Sequence, residues 1–171
     1  MEARMTERDR AFVEFVEAAI PSLRRTAYLI GGDWHKAEDV VQETLYKLYL
    51  AWPKVQRAGN PFAYVRRMLV NVAYDAGRRP WRREVNSAEV TEYAIHGDFA
   101  AGHADRDEVL EALRALAPRQ RACVVLRYYE DLSIEQTAEI LGCSEGTVRS
   151  QAARGLDTLR KAIDRRRSPA L

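Results

Sequence analysis

Apolar residues recur at spacings of three and four through most of the chain, and no run alternates with period two between hairpin turns. The pattern predicts helices throughout and an all-α fold. From Arg8 to Ala19, the residues Phe12, Phe15, Val16 and Ala19 fall on one face, and Pro21 then fits the first turn of a second short helix that closes at Gly31 and Gly32. Asp33 is a good N-cap for the next helix. From Trp34 to Trp52 a continuous stripe of Ala37, Val40, Val41, Leu45, Leu48, Tyr49 and Trp52 marks this third helix, with Pro53 as its stop. Asn60 and Pro61 read as the N-cap and first residue of a fourth, in which Phe62, Val65, Leu69, Val72 and Ala76 line one face up to Gly77. Phe62 is expected in the core, and Tyr64 is left open. Four helices then make a first domain, residues 8–83.

Residues 84–105 break the pattern. Their periodicity is weak, they hold two glycines, and they carry five acidic residues and no Lys or Arg. They are expected to form a flexible acidic linker rather than a packed element. A second small helical domain, residues 106–167, comes next. Val109, Leu110, Leu113 and Leu116 mark one helix, and Pro118 opens another through Val124, Val125, Leu126 and Tyr129. Ser133 to Gln136 has the form of a capping box, in which the serine oxygen and the glutamine side chain satisfy each other's orphan backbone donors. The net charge of +2 hides an uneven distribution: Lys plus Arg outnumber Asp plus Glu by 15 to 10 before the linker and by 12 to 10 after it. Two basic blocks therefore flank an acidic connector.

The most specific signal is SIEQTAEILGCSEGTVRSQAARGL. A helix-turn-helix that reads DNA needs a small residue where its helices cross, a glycine in the turn and a branched apolar residue locking the second helix. Ala138, Gly142 and Val148 meet those needs. Ser144 caps the second helix, and Thr147, Arg149, Ser150, Gln151 and Arg154 are left on its outer face. Arginine bridges the acceptors of guanine or clamps phosphate, while hydroxyls and amides reach phosphate or base edges. The motif alone does not separate repressors, response regulators and other DNA-binding proteins.

Other chemistries find little support. Cys123 and Cys143 sit in apolar helical patterns, and His35, His96 and His103 show no ligand spacing with them, so neither a disulfide framework nor a metal site is expected. No nucleophile–base pair or glycine-rich phosphate loop suggests an enzyme or a cofactor. No stretch approaches the roughly 18 apolar residues of a membrane span, and the opening MEARMTERDR lacks the apolar core of a secretory signal, so a cytoplasmic protein without membrane insertion is expected.

The stretch LRALAPRQRACVVLRYYEDLSIEQTAEILG together with AEDVVQETLYKLY far upstream resembles the sigma-70 family of RNA polymerase sigma factors, in its extracytoplasmic-function subgroup. The resemblance covers about residues 8–83 and 106–161, and both halves match in order. It implies a region 2 domain and a region 4 domain acting on promoter DNA during transcription initiation. It also implies contact with core RNA polymerase, through the clamp of the largest subunit and the flap of the second largest, and control by an anti-sigma factor. In the family, the helix matching Asp33 to Trp52 binds the clamp through a polar face, here Asp39, Gln42, Glu43 and Tyr46. The minus-10 reader corresponds to Lys54 to Arg79, where Arg57, Asn60, Tyr64, Arg67, Asn71, Arg78 and Arg79 could hold phosphates and an extruded base; the unstacking costs a few kcal/mol. Ser144, Thr147, Arg149, Ser150, Gln151 and Arg154 would read the minus-35 duplex. The linker's carboxylates suit a basic channel of the polymerase, or are merely those of a tether. A stand-alone regulator using the same helix-turn-helix on a palindromic operator is the principal alternative.

Overall fold

The computed structural model describes residues 5–78 and 103–168; among these every regular element is helical. The first domain consists of α1 (Glu7–Gly31), α2 (Trp34–Gln56) and α3 (Pro61–Arg78). It has three helices rather than the expected four, because Pro21 lies inside α1 instead of opening a new helix. A proline at that point removes one backbone hydrogen bond. The helix continues because Ala19 and Leu23 on one side and Thr26, Ala27 and Ile30 further on are all buried, so packing holds both halves in line. Pro53 likewise sits within the last turn of α2 and does not stop it.

The ends follow local chemistry. Thr6 and Asp9 form a capping box at the start of α1, and the bonds from Thr6 hold the Asp9 carboxyl below its usual range. Gly32 closes α1 in the left-handed conformation (φ 71°), its N–H donating to the Tyr28 carbonyl at 2.7 Å. Asp33 caps α2 through His35 N–H and Lys36 N–H, and Tyr28 stacks on Trp34 with ring centroids 3.8 Å apart, pinning the corner. Asn60 caps α3 by accepting from the Ala63 N–H at 3.1 Å. The core joins Ala19, Leu23 and Ala27 of α1 to Val40, Val41, Leu48, Trp52 and Val55 of α2 and Val65, Leu69 and Val72 of α3. Phe62 departs from its expected place. It is 47% exposed, packed by one side on Phe15, because α3 enters the bundle at the rim.

The second domain comprises α4 (His103–Arg114), α5 (Pro118–Val124), a π-helical turn (Val125–Tyr129), α6 (Ile134–Leu141) and α7 (Glu145–Arg167). Helix α4 starts within the expected linker, at His103; the rest of that segment lies outside the described residues. Pro118 opens α5 as its position predicts. The core of this domain is Leu113, Leu116, Ala122, Cys123, Val124, Val125, Leu126, Leu141 and Ala152, and this cluster also takes in Ile30 and Val70 of the first domain. The two domains therefore share apolar contacts in the free chain.

Candidate nucleic-acid interface

The helix-turn-helix forms as its residue pattern predicts. Ser133 accepts from the Gln136 N–H at 3.0 Å while the Gln136 side chain accepts from the Ser133 N–H at 2.9 Å, starting α6. Gly142 ends it at φ 62°, a left-handed turn that an L side chain rarely adopts. Ala138 is buried at the crossing and Val148 is fully buried beneath the second helix. Ser144 caps α7 through the Thr147 N–H at 3.1 Å, and its hydroxyl also lies 2.9 Å from that of Thr147. The first turn of α7 is thus fixed, with its N–H groups and positive dipole end facing outward.

Along α7, Arg149, Ser150 and Arg154 are exposed and Thr147 and Gln151 half-buried, so each predicted reading residue keeps some access to solvent. Arg149 makes only a long, solvent-exposed pair with Glu145 at 3.5 Å, weak enough for a phosphate or base to replace. Ser150 donates to the Thr147 carbonyl at 3.1 Å.

In the first domain, Tyr64, Arg67 and Asn71 recur at helical spacing along one strip of α3, with Asn60 just before its start. Asn60 spends its side-chain oxygen on the cap, leaving its amide donors. Tyr64 is half-buried against the core, Asn71 is exposed, and Arg67 pairs with Glu139 of α6 at 2.7 Å. Arg57 stands apart, just past α2, with its Nε donating to the Pro53 carbonyl. Arg79 lies outside the described residues, as does the side chain of Arg78.

On α2, Asp39 and Gln42 are exposed, Glu43 is half-buried with Lys47 at 3.2 Å, and Tyr46 is 66% exposed. Leu50, one turn beyond Tyr46 on the same face, is 63% exposed and escapes the sequence reading. Its register, four residues after Tyr46 and off the core stripe, is the signal that could have found it. An exposed tyrosine and leucine beside acidic and amide groups is a mixed surface of the kind that protein partners cover.

The chain is thus a two-domain helical protein with a helix-turn-helix in its C-terminal half. The family model described as Sigma-70 region 2 matches residues 15–83, and that described as Sigma-70, region 4 matches residues 106–159. The RNA polymerase sigma-E factor of Streptomyces coelicolor is 35% identical over 152 residues, covering 89% of this chain and 85% of that protein. Its counterpart in Streptomyces avermitilis is 34% identical over 155 residues, covering 91% and 86%. Among solved structures, the sigma factor RpoE in complex with the anti-sigma factor NepR from Bartonella quintana aligns with a TM-score of 0.71 at 27% identity, covering 91% of this chain and 98% of that one. The chain belongs to the sigma-70 family of RNA polymerase sigma factors, in the extracytoplasmic-function subgroup, and so acts in promoter recognition and transcription initiation. No helix among the described residues is long and apolar enough to cross a membrane.

Proposed function

We propose that the second domain reads a minus-35 duplex through α7, that α3 and the turn before it capture the minus-10 strand, and that the exposed face of α2 docks on the clamp of core RNA polymerase. The observation that carries this reading is the capped second helix on which Ser144, Thr147, Arg149, Ser150, Gln151 and Arg154 all keep access to solvent, held in place by buried Val148 and Ala138. Such a helix fits the major groove, with its N-terminal residues at base edges. Residues Asp39, Gln42, Glu43 and Tyr46, extended by Leu50, supply a polymerase-facing surface on the other domain. The flap of the second largest subunit and an anti-sigma factor complete the expected partners, and the solved RpoE relative is bound to an anti-sigma factor. On this reading the chain works in the cytoplasm, without a cofactor and without catalysing a reaction itself.

Run-off transcription tests it. Core polymerase supplemented with the chain should start at discrete sites on fragmented genomic DNA. Asp39→Ala combined with Tyr46→Ala should abolish those starts and polymerase binding while leaving duplex binding intact. A chain that ignores the polymerase yet binds a symmetric site unaided would refute the reading in favour of a simple operator-binding regulator.

A further inference from the structure

The corner between α4 and α5 lacks the usual local closures. No glycine follows Arg114; the chain runs Ala115, Leu116, Ala117 and Pro118, and Ala117 gives α5 no side-chain cap. Tight bonds wind down the end of α4, from the Ala115 N–H to the Ala112 carbonyl at 3.2 Å and from the Leu116 N–H to the Leu113 carbonyl at 3.1 Å. They leave the last carbonyls of the helix in need of further donors. Arg121, half-buried in α5, meets that need. Its Nε donates to the Leu113 carbonyl at 2.9 Å, and its Nη2 to the carbonyls of Arg114 at 3.2 Å and Leu116 at 3.1 Å. A planar guanidinium thus closes this helix as a left-handed glycine closes others, and its charge suits the negative end of the α4 dipole. Nη1 also reaches the Ile30 carbonyl of α1, whereas the other three bonds lie wholly within the second domain.

What the corner holds is the seat of α7. Gly155 lies buried where α7 crosses α5, and a Cβ there would meet Val124, Leu116 and the Gln120 carbonyl, all within 3.2 Å. Leu116 belongs to the corner and Val124 and Gln120 to α5, so the walls of this notch come from both sides of the Arg121 clamp. Nearer its N-terminus α7 is held a second time, by fully buried Val148. The two supports stand about 10.5 Å apart along the axis, seven residues at 1.5 Å each. When the notch gives by about 1 Å, α7 pivots at Val148, and Arg154 travels about 0.9 Å, past the roughly 0.5 Å that a binding group tolerates. Arg149, one residue from the pivot, moves only about 0.1 Å.

We infer that Arg121 is a positioning residue for DNA reading: by tying the end of α4 to α5 it builds the notch that seats Gly155, and so fixes the tilt of α7 and the placement of Arg154. The inference rests on the reading of α7 proposed above.

Two variants of the full chain remove the clamp. Arg121→Met deletes it outright; Arg121→Lys keeps the charge, so it serves where the first does not fold, but a flexible ammonium does not reproduce the fork that spans three carbonyls. Run-off transcription by the reconstituted holoenzyme, from a promoter it has been mapped to, reads the placement. Arg154→Ala should cost on the order of tenfold in the wild-type background and at most about threefold beside either Arg121 variant. Arg149→Ala should cost the same in all backgrounds. An arginine that merely stabilised the domain would leave both costs unchanged. Calorimetry of the free chain reads the seat: Gly155→Ala combined with Arg121→Lys should lower the melting temperature by less than the sum of their separate drops, because a slackened notch admits the methyl group. An undiminished cost of Arg154→Ala beside the Arg121 variants, or additive melting shifts, would overturn the inference. If Arg154→Ala costs nothing in the wild-type background, the DNA reading of that residue falls and the positioning role with it; the calorimetry, which needs no DNA, separates that outcome from the absence of a seat.

Discussion

Gly155 sits buried on α7 where that helix crosses α5, and replacing it with alanine sets two effects of opposite sign against each other. In a helix interior alanine is favoured over glycine by about 0.8–1.0 kcal/mol. Against this, a Cβ at position 155 would stand 2.6 Å from Val124 Cγ2, 3.1 Å from Leu116 Cδ2 and 3.2 Å from the Gln120 carbonyl oxygen. Ordinary carbon–carbon contact is about 3.5–4.0 Å. Val124 is buried and β-branched, with essentially one side-chain rotamer in a helix, and the Gln120 oxygen is backbone, so neither can swing aside. Helix α7 itself must shift. Overpacking of this kind costs roughly 1–3 kcal/mol, occasionally more, and two rigid obstacles place Gly155→Ala at the upper end. The net expectation is a loss of about 1–2 kcal/mol. In calorimetry that lowers the melting temperature of the second domain by about 4–8 °C per kcal/mol for a domain of this size. Ala153→Gly, at an exposed position on the same helix, calibrates the propensity effect alone. Should Gly155→Ala melt at or above wild type, in mirror image of Ala153→Gly, propensity would outweigh contact and the close crossing of α5 and α7 would be refuted. Because Val148 locks the reading strip from the same helix, the variant should also weaken duplex binding.

Arg149→Ala and Arg154→Ala should each weaken binding to a promoter duplex, with roughly 1–3 kcal/mol of base discrimination lost wherever the arginine makes a bidentate guanine contact. Unchanged affinity and specificity in both, measured by fluorescence anisotropy, would remove this strip from the DNA interface. Burial pushes the Cys123 thiol from 9.0 up to about 11. A group whose ionisation is resisted by the fold supports stability fully below its unfolded value and loses that support as pH rises through the folded one. The urea midpoint of the second domain should accordingly fall between pH 9.0 and about 11. A midpoint that stays level across that interval would contradict the burial of the thiol.

Local chemistry is legible in the sequence wherever a residue acts on its near neighbours. The caps at Asp33, Asn60, Ser133 and Ser144 and the left-handed Gly142 stand where their spacing places them, because each effect spans a single turn. Prolines mislead for the complementary reason. Their local rule is to break a helix, but α1 is held through Pro21 by buried residues on both sides, and that packing belongs to the assembled bundle. Phe62 shows the same limit, since its register faces the core while its position at the rim leaves half the ring in solvent. Pairs such as Thr26 with Glu130 are separated by about a hundred residues and leave no periodic trace from which to foresee them.

Arg67 brings these levels together. From its place on α3 it reads as a phosphate ligand, and in the folded chain it holds Glu139. The two roles use the same guanidinium and exclude each other, so their relative strength decides which prevails. The side chains of Arg67 and Glu139 are 49% and 61% exposed, and an ion pair so open to water contributes little. A DNA phosphate, which also releases condensed counterions when neutralised, can displace that carboxylate. Glu130 differs, because its side chain is 4% exposed and its partners cannot be traded for water without leaving a charge in an apolar boundary. The contact between the domains therefore has a weak edge at Arg67 and Glu139 and a strong centre at Glu130 that must be released as a unit. A contact built this way should be lost cooperatively, rather than gradually as salt screens its surface pairs.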